Sequence, residues 1–225
     1  MLLEIRNELF LLKEEKYQKF SSSLIPNVNN LIGVRIPTLD KIASKLIKEN
    51  KLEYINYDVI YFEEIMIQSM MIAKLKDLNK VIVLTSNHLM KIDNWSLCDS
   101  FCLRLKIFKV NQKESFNYLL MYLNSNNTYE LRFLIVNLLC HFINDDYIDQ
   151  VLKVCDSISH PDYYVKMAIS WCLQSCYGRY KDKTIDYLND NNLDDFTFNK
   201  TISKICDSTK VNKVEKNMLR KYRRK

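Results

Sequence analysis

Only two glycines, Gly33 and Gly178, and three prolines punctuate this chain of 225 residues. A protein made of strands and tight hairpins needs many more residues able to turn at positive φ, so an all-β fold is excluded. The sequence also lacks a CxxC pair, and its seven cysteines are an odd number. Cys98/Cys102 and Cys172/Cys176 are each four residues apart, but His88, His141 and His160 fall at no zinc-site spacing from them. These cysteines read as small buried apolar residues and reduced thiols, and no metal is expected. No apolar segment approaches the roughly 20 residues that span a bilayer. The opening "MLLEIRNELFLLKEEKYQKF" mixes apolar and charged residues at helical spacing where an export signal would be continuously apolar. A soluble, cytoplasmic, monomeric protein without a membrane partner is the expectation. No Gly-rich phosphate loop or other cofactor motif is present, so no cofactor is expected either.

What is present favours helices. With 48% hydrophobic and 27% charged residues, the composition is that of a globular protein and not a disordered one. Apolar residues recur at helical spacing over roughly 2–20, 38–50, 58–74, 78–90, 95–106, 113–123, 128–143, 146–157, 162–177, 182–189, 197–207 and 211–223. "SNNT" at 125–128 and "NDD" at 144–146 supply helix-capping side chains. Pro161 suits a first helical turn, and Gly178 a helix stop. About twelve such helices joined by short breaks read as a stack of helical hairpins, the signature of HEAT-type solenoids. No Gly/Ser-rich linker divides the chain, so one domain over 1–225 is expected.

Charge is unevenly spread. Residues 210–225, "KVNKVEKNMLRKYRRK", hold eight Lys/Arg and one Glu. Taking this local +7 from the chain's +6 leaves −1 for residues 1–209. A basic C-terminal helix or tail of this kind suits a polyanion such as DNA, RNA or an anionic membrane surface; it also suits a solubilising segment.

Three places carry polar or aromatic residues among core positions. In "NWSLCDSFC" (94–102), Trp95 and Asp99 lie one helical turn apart on one face, and the apolar residues around Asp99 imply a partly desolvated carboxylate. Such an acid is either a structural ion-pair member or a functional group. Arg132 sits beside the stripe Leu131, Leu134, Ile135 and Leu138, as a snorkelling residue or a contact residue. Trp171 adjoins Val165, Ala168, Ile169 and Cys172, as core or as contact.

The segments "LIGVRIPTLDKIASKL" (31–46), "DNWSLCDSFCLRLK" (93–106), "YELRFLIVNLL" (129–139), "YYVKMAISWCL" (163–173) and "FTFNKTISKICDSTKV" (196–211) together resemble the AlkD-like DNA alkylation repair family, in its compact branch. The resemblance runs through most of the chain. It implies an all-α fold, a right-handed α-solenoid of HEAT-like helical hairpins with a concave DNA-binding face. It implies a DNA glycosylase of base excision repair that hydrolyses cationic N3- or N7-alkylated purines on duplex DNA, without a base-flipping pocket. The family's catalytic aspartate falls on Asp99 and the aromatic one turn before it on Trp95. Its DNA-contacting arginine falls on Arg132 and its second aromatic wall on Trp171, the four lining one cleft. Arg35, Lys166, Lys200 and Lys204 are further candidates for phosphate contacts. Better-known glycosylase members have a second acidic or aromatic residue near the aspartate, where this chain has Ser96 and Cys98. The family also includes paralogues that bind DNA without excising bases, which is the alternative; a protein-binding HEAT scaffold is a third.

Overall fold

The computed structural model describes residues 1–25 and 28–225, and every regular element among them is helical. The order is α1 (Leu2–Leu11), α2 (Glu15–Leu24), α3 (Ile36–Lys48), a 3-10 turn (Leu52–Asn56), α4 (Phe62–Lys74), α5 (Leu78–Leu89), α6 (Trp95–Arg104) and α7 (Ile107–Val110). It continues with α8 (Gln112–Leu120), α9 (Thr128–His141), α10 (Ile148–Ser157), α11 (Tyr163–Arg179), α12 (Lys181–Asn189), α13 (Asp195–Asp207) and α14 (Lys213–Arg220). The contacts divide the chain into two compact units, 1–107 and 108–225.

The core of the first unit is α4, which packs on α3, α5, α6 and the 3-10 turn. In the second unit α11 packs on α9, α10, α12 and α13, while α8 backs α9 and α14 backs α13. Alternate helices therefore touch one another, as α4 with α6, α9 with α11 and α11 with α13. This is the connectivity of stacked helical hairpins, the building plan of an α-solenoid. Its consequence shows in the sequences. Every residue from Phe62 to Ile72 in α4 and from Leu131 to Leu138 in α9 is buried, because neighbours cover these helices on several sides.

Charged residues inside α4 become tie points. Glu63 is buried, and its carboxylate accepts the backbone N–H groups of Ile32, Gly33 and Val34 at 2.9, 2.6 and 3.1 Å. Three amides converge there because Gly33 turns at φ 105°, and a Cβ at that position would meet the Gln18 Cβ at 2.6 Å. Glu64 accepts two bonds from Arg6, at 2.9 and 3.1 Å, and also the backbone N–H groups of Ile60 and Tyr61 at the start of α4. The 31–35 loop also explains why residues 2–20 form two helices and not the single one expected from periodicity. The Glu14 N–H donates to the Gly33 carbonyl at 3.0 Å, and the Gln18 amide donates to the Leu31 carbonyl at 2.6 Å, so the chain breaks between α1 and α2 to meet the loop.

Several boundaries also differ from the periodicity. The region expected to be helical from 58 starts at Phe62, and the 3-10 turn at 52–56 and the short α7 are additions. Gly178 does not stop its helix: α11 continues to Arg179, with Gly178 on an open surface where nothing lies within 4 Å of an added Cβ. Pro161 precedes the cap residue Asp162 and is not in the first turn. The cap at 125–128 is Asn127, whose side chain accepts from the Tyr129 and Glu130 amides at 2.8 and 3.2 Å.

Replacing Glu63 by Gln keeps the shape but removes the charge and one acceptor from three converging amides. The expected loss is about 1–3 kcal/mol of unfolding free energy in urea titration, and an unchanged midpoint would show that the loop holds without this anchor.

Candidate functional site

The face of α6 begins with its cap. Asn94 is buried and accepts the Leu97 N–H at 3.0 Å, which fixes where the helix starts and so places Trp95 in its first turn and Asp99 in its second. Trp95 is half-buried, and its indole N–H donates to the Leu24 carbonyl at 3.3 Å, tying the start of α6 to the end of α2. Asp99 is only 8% exposed, with Leu97, Cys98, Phe101 and Cys102 fully buried about it. On the following turn Arg104 donates to the Ser100 carbonyl at 3.1 Å and to its hydroxyl at 2.7 Å.

What sets α6 against α4 is a buried imidazole. His88 of α5 stands edge-on to Phe101 of α6, with ring centroids 5.5 Å apart, and its Nε2 lies 2.7 Å from the Ser69 hydroxyl of α4. Ser69 donates its own proton to the Ile65 carbonyl at 3.0 Å, so His88 carries a proton on Nε2 and donates it to Ser69. The Nδ1 atom is buried without a hydrogen-bond partner. Burial, reinforced by the charge of Lys91, pushes the imidazole down to about 3, and His88 is neutral in the folded protein.

In the second unit, Arg132 of α9 is 6% exposed and donates to the Tyr164 carbonyl in the first turn of α11 at 2.7 Å. An arginine so deeply placed is not the snorkelling surface residue that its position beside a core stripe allowed. Trp171 lies half-buried further along α11. Lys166, also on α11, donates to Asp194 at 3.2 Å and stands 5.7 Å over the Phe196 ring. Burial raises the Asp194 carboxyl, but hydrogen bonds from the Thr197 hydroxyl and amide and from Lys166 outweigh it and hold the group below its ordinary value. Lys200 stands 5.9 Å over the same Phe196 ring. Lys204, one turn further along α13, is held below the usual lysine range, first by burial and then by repulsion from Lys200 and Arg132. Lys204 is thus close enough to both Arg132 and Lys200 to be repelled by each. Arg35 stands apart in the first unit, at the start of α3, where it pairs with Glu14 at 2.8 Å and lies over the Tyr17 ring at 5.1 Å.

Trp95 and Asp99 thus share the α6 face of the first unit, and Arg132, Lys166, Trp171, Lys200 and Lys204 occupy the α9, α11 and α13 stack of the second. The exposed aromatics Tyr163 and Phe196, 6.1 Å apart, were not singled out by the sequence, although both lie in its motifs "YYVKMA" and "FTFNK". The available signal was the pairing of an aromatic with lysines at helical spacing on α13.

Stacked helical hairpins carrying a buried acid beside an aromatic and a clustered cationic face define a helical-repeat protein suited to a polyanion. The model of the DNA alkylation repair enzyme family, the AlkD-like family, matches residues 5–205, and the chain belongs to that family. A search of curated proteins returns no match. Membership places the protein in DNA repair, with DNA as the substrate that its family works on.

The state of His88 sets a pH dependence. The unfolded chain takes a proton on this imidazole near 6.5, while the folded one resists it down to about 3. The stability contribution is therefore complete above about pH 6.5 and is lost as pH falls below it, at up to ~1.4 kcal/mol per pH unit. Unfolding measured between pH 6.5 and 5 should show this slope in the wild type and lose it in His88→Leu; equal slopes in both would contradict a neutral buried His88.

Proposed function

We propose that the protein is an alkylpurine-DNA glycosylase that uses Asp99 to hydrolyse the N-glycosidic bond of purines carrying an alkyl group on N3 or N7. The observation that carries this reading is the carboxylate at position 99, retained in an almost water-free place one turn after an aromatic, in a chain of the alkylation repair family. Alkylation at N3 or N7 places a positive charge on the base and makes it a good leaving group without a protonating acid. The bond to C1′ then breaks through an oxocarbenium-like sugar, and a single anionic carboxylate beside it stabilises the developing cation and orients the attacking water. Low water access strengthens that interaction.

The other residues act on the DNA and not on the bond. Trp95 and Trp171 offer electron-rich faces to the cationic nucleotide. Arg132 is a guanidinium held by the Tyr164 carbonyl and suits a backbone phosphate. The repulsion that Lys204 experiences from Arg132 and Lys200 supports the same assignment, since a polyanion relieves it. Lys166 and Arg35 each have a carboxylate partner already and contribute as secondary phosphate contacts. Double-stranded DNA is bound through its backbone, and no side chain is assigned to an extrahelical-base pocket.

The test is release of free 7-methylguanine and 3-methyladenine from methylated duplex DNA. The wild type should release both, and Asp99→Asn, which keeps the shape without the charge, should lower the rate by about 100-fold or more while leaving DNA affinity in place. Absence of release by the wild type, with DNA binding intact, would replace this reading by that of a non-catalytic DNA-binding member of the family.

A further inference from the structure

Residues 221–225 turn back against α13, and an open pocket of about 300 Å³ lies where they meet it. Its walls are Phe196, Asn199, Lys200 and Ser203 of α13, which share one helical face, together with Arg223. The returning segment is fastened by Arg224. Its backbone N–H donates to the Asn199 side chain at 2.9 Å, its carbonyl accepts from the same amide at 3.0 Å, and its guanidinium lies 4.2 Å over the Phe198 ring. That guanidinium also donates to the Leu193 carbonyl and, at 2.8 Å, to Asn191. Arg224 is thereby a structural residue, and it fixes where its neighbour Arg223 goes.

Arg223 donates one bond to the Ser203 hydroxyl at 2.8 Å, and no carboxylate pairs with it among the described residues. Lys200 faces the same space, placed by its contact with the 42%-exposed Phe196, and likewise has no carboxylate partner among the described residues. Lys166, which stands over the same ring, is already neutralised by Asp194. Two cations without counter-charges, one of them next to a hydroxyl, thus line an open pocket on a surface where Lys204 already experiences Lys200 as a repelling neighbour. The Ser203 hydroxyl gives its own proton to the Asn199 carbonyl at 2.9 Å, so it accepts from Arg223 and positions it, and a tetrahedral anion able to accept from a guanidinium and an ammonium at once matches the remaining donor set.

We propose that this pocket binds a backbone phosphate of duplex DNA, so that residues 221–225 are a built part of the DNA-binding surface and not a solubilising extension. The inference rests on the DNA-binding part of the proposed function and extends it to a site formed by the returning segment. The pocket holds a phosphate by charge and hydrogen bonds alone, so it contributes affinity without sequence preference.

The test compares wild type, Arg223→Gln and Lys200→Gln/Arg223→Gln for affinity to an unmodified duplex over a series of salt concentrations. Loss of one phosphate contact should flatten the slope of log affinity against log salt by about 0.9 in the double variant, and weaken binding several-fold at fixed low salt. Thermal unfolding is measured alongside. If the double variant melts early, the exposed Arg223→Gln alone carries the comparison, with a smaller flattening expected. A wild type that binds steeply with salt while the variants match it in slope and affinity would overturn the pocket and leave the DNA-binding reading standing. A wild type with no salt-dependent duplex binding would overturn both.

Discussion

Helices covered by neighbours on several sides have almost no face left for water, and that constraint shapes both units of this protein. Along α4 and α9 whole stretches are buried, including side chains that could be exposed on a two-sided amphipathic helix. Any charge on such a helix must either be matched by hydrogen bonds or contribute to function at a cost in stability. Glu63 and Glu64 are of the first kind. They gather the 31–34 amides, the start of α4 and Arg6, and so join segments distant in sequence around one helix. Arg132 also has a backbone acceptor in the Tyr164 carbonyl, and the function proposed for half-buried Lys204 of α13 makes it the second kind.

The same packing supplies the rigidity that such a function needs. Trp95 is set by the Asn94 cap and by its bond to Leu24, and Asp99 follows one turn later on the same helix. His88, neutral and wedged between Ser69 and Phe101, maintains the spacing of α4, α5 and α6 through polar and ring contacts together. In the second unit, the Tyr164 carbonyl holds Arg132 and the Phe196 ring gathers Lys166 and Lys200. Aromatic rings and backbone carbonyls therefore do the positioning, which leaves the charge of Lys200 without a carboxylate partner among the described residues.

Helical periodicity revealed most of this architecture, because long core helices with few glycines and prolines leave an unambiguous 3.6-residue pattern. The locally hidden parts depend on tertiary contacts. Nothing within residues 2–20 signals a break, since the cause is a loop at 31–35 that meets Glu14 and Gln18. Two adjacent glutamates at 63 and 64 look like a solvated helix start, and only the fold shows them buried. Gly178 had the look of a helix stop, yet a glycine on an open helical surface does not have to end a helix. The candidate site was legible where a polar residue interrupts an apolar pattern, as at Asp99 and Arg132. It was not legible at Arg223, whose position is set by Arg224 and by contacts more than twenty residues back in the chain.

Lys204 offers the most direct test of the idea that charges on these packed helices are kept for DNA at the expense of the fold. Burial and the neighbouring Lys200 and Arg132 disfavour its charged form and together outweigh the attraction of Asp207. Lys204→Met retains the apolar stem and removes the ammonium. Measured side by side, thermal unfolding should shift upward and affinity for duplex DNA should fall. A variant that unfolds at lower temperature and binds DNA as tightly as the wild type would show that Lys204 serves the fold, and would contradict the account.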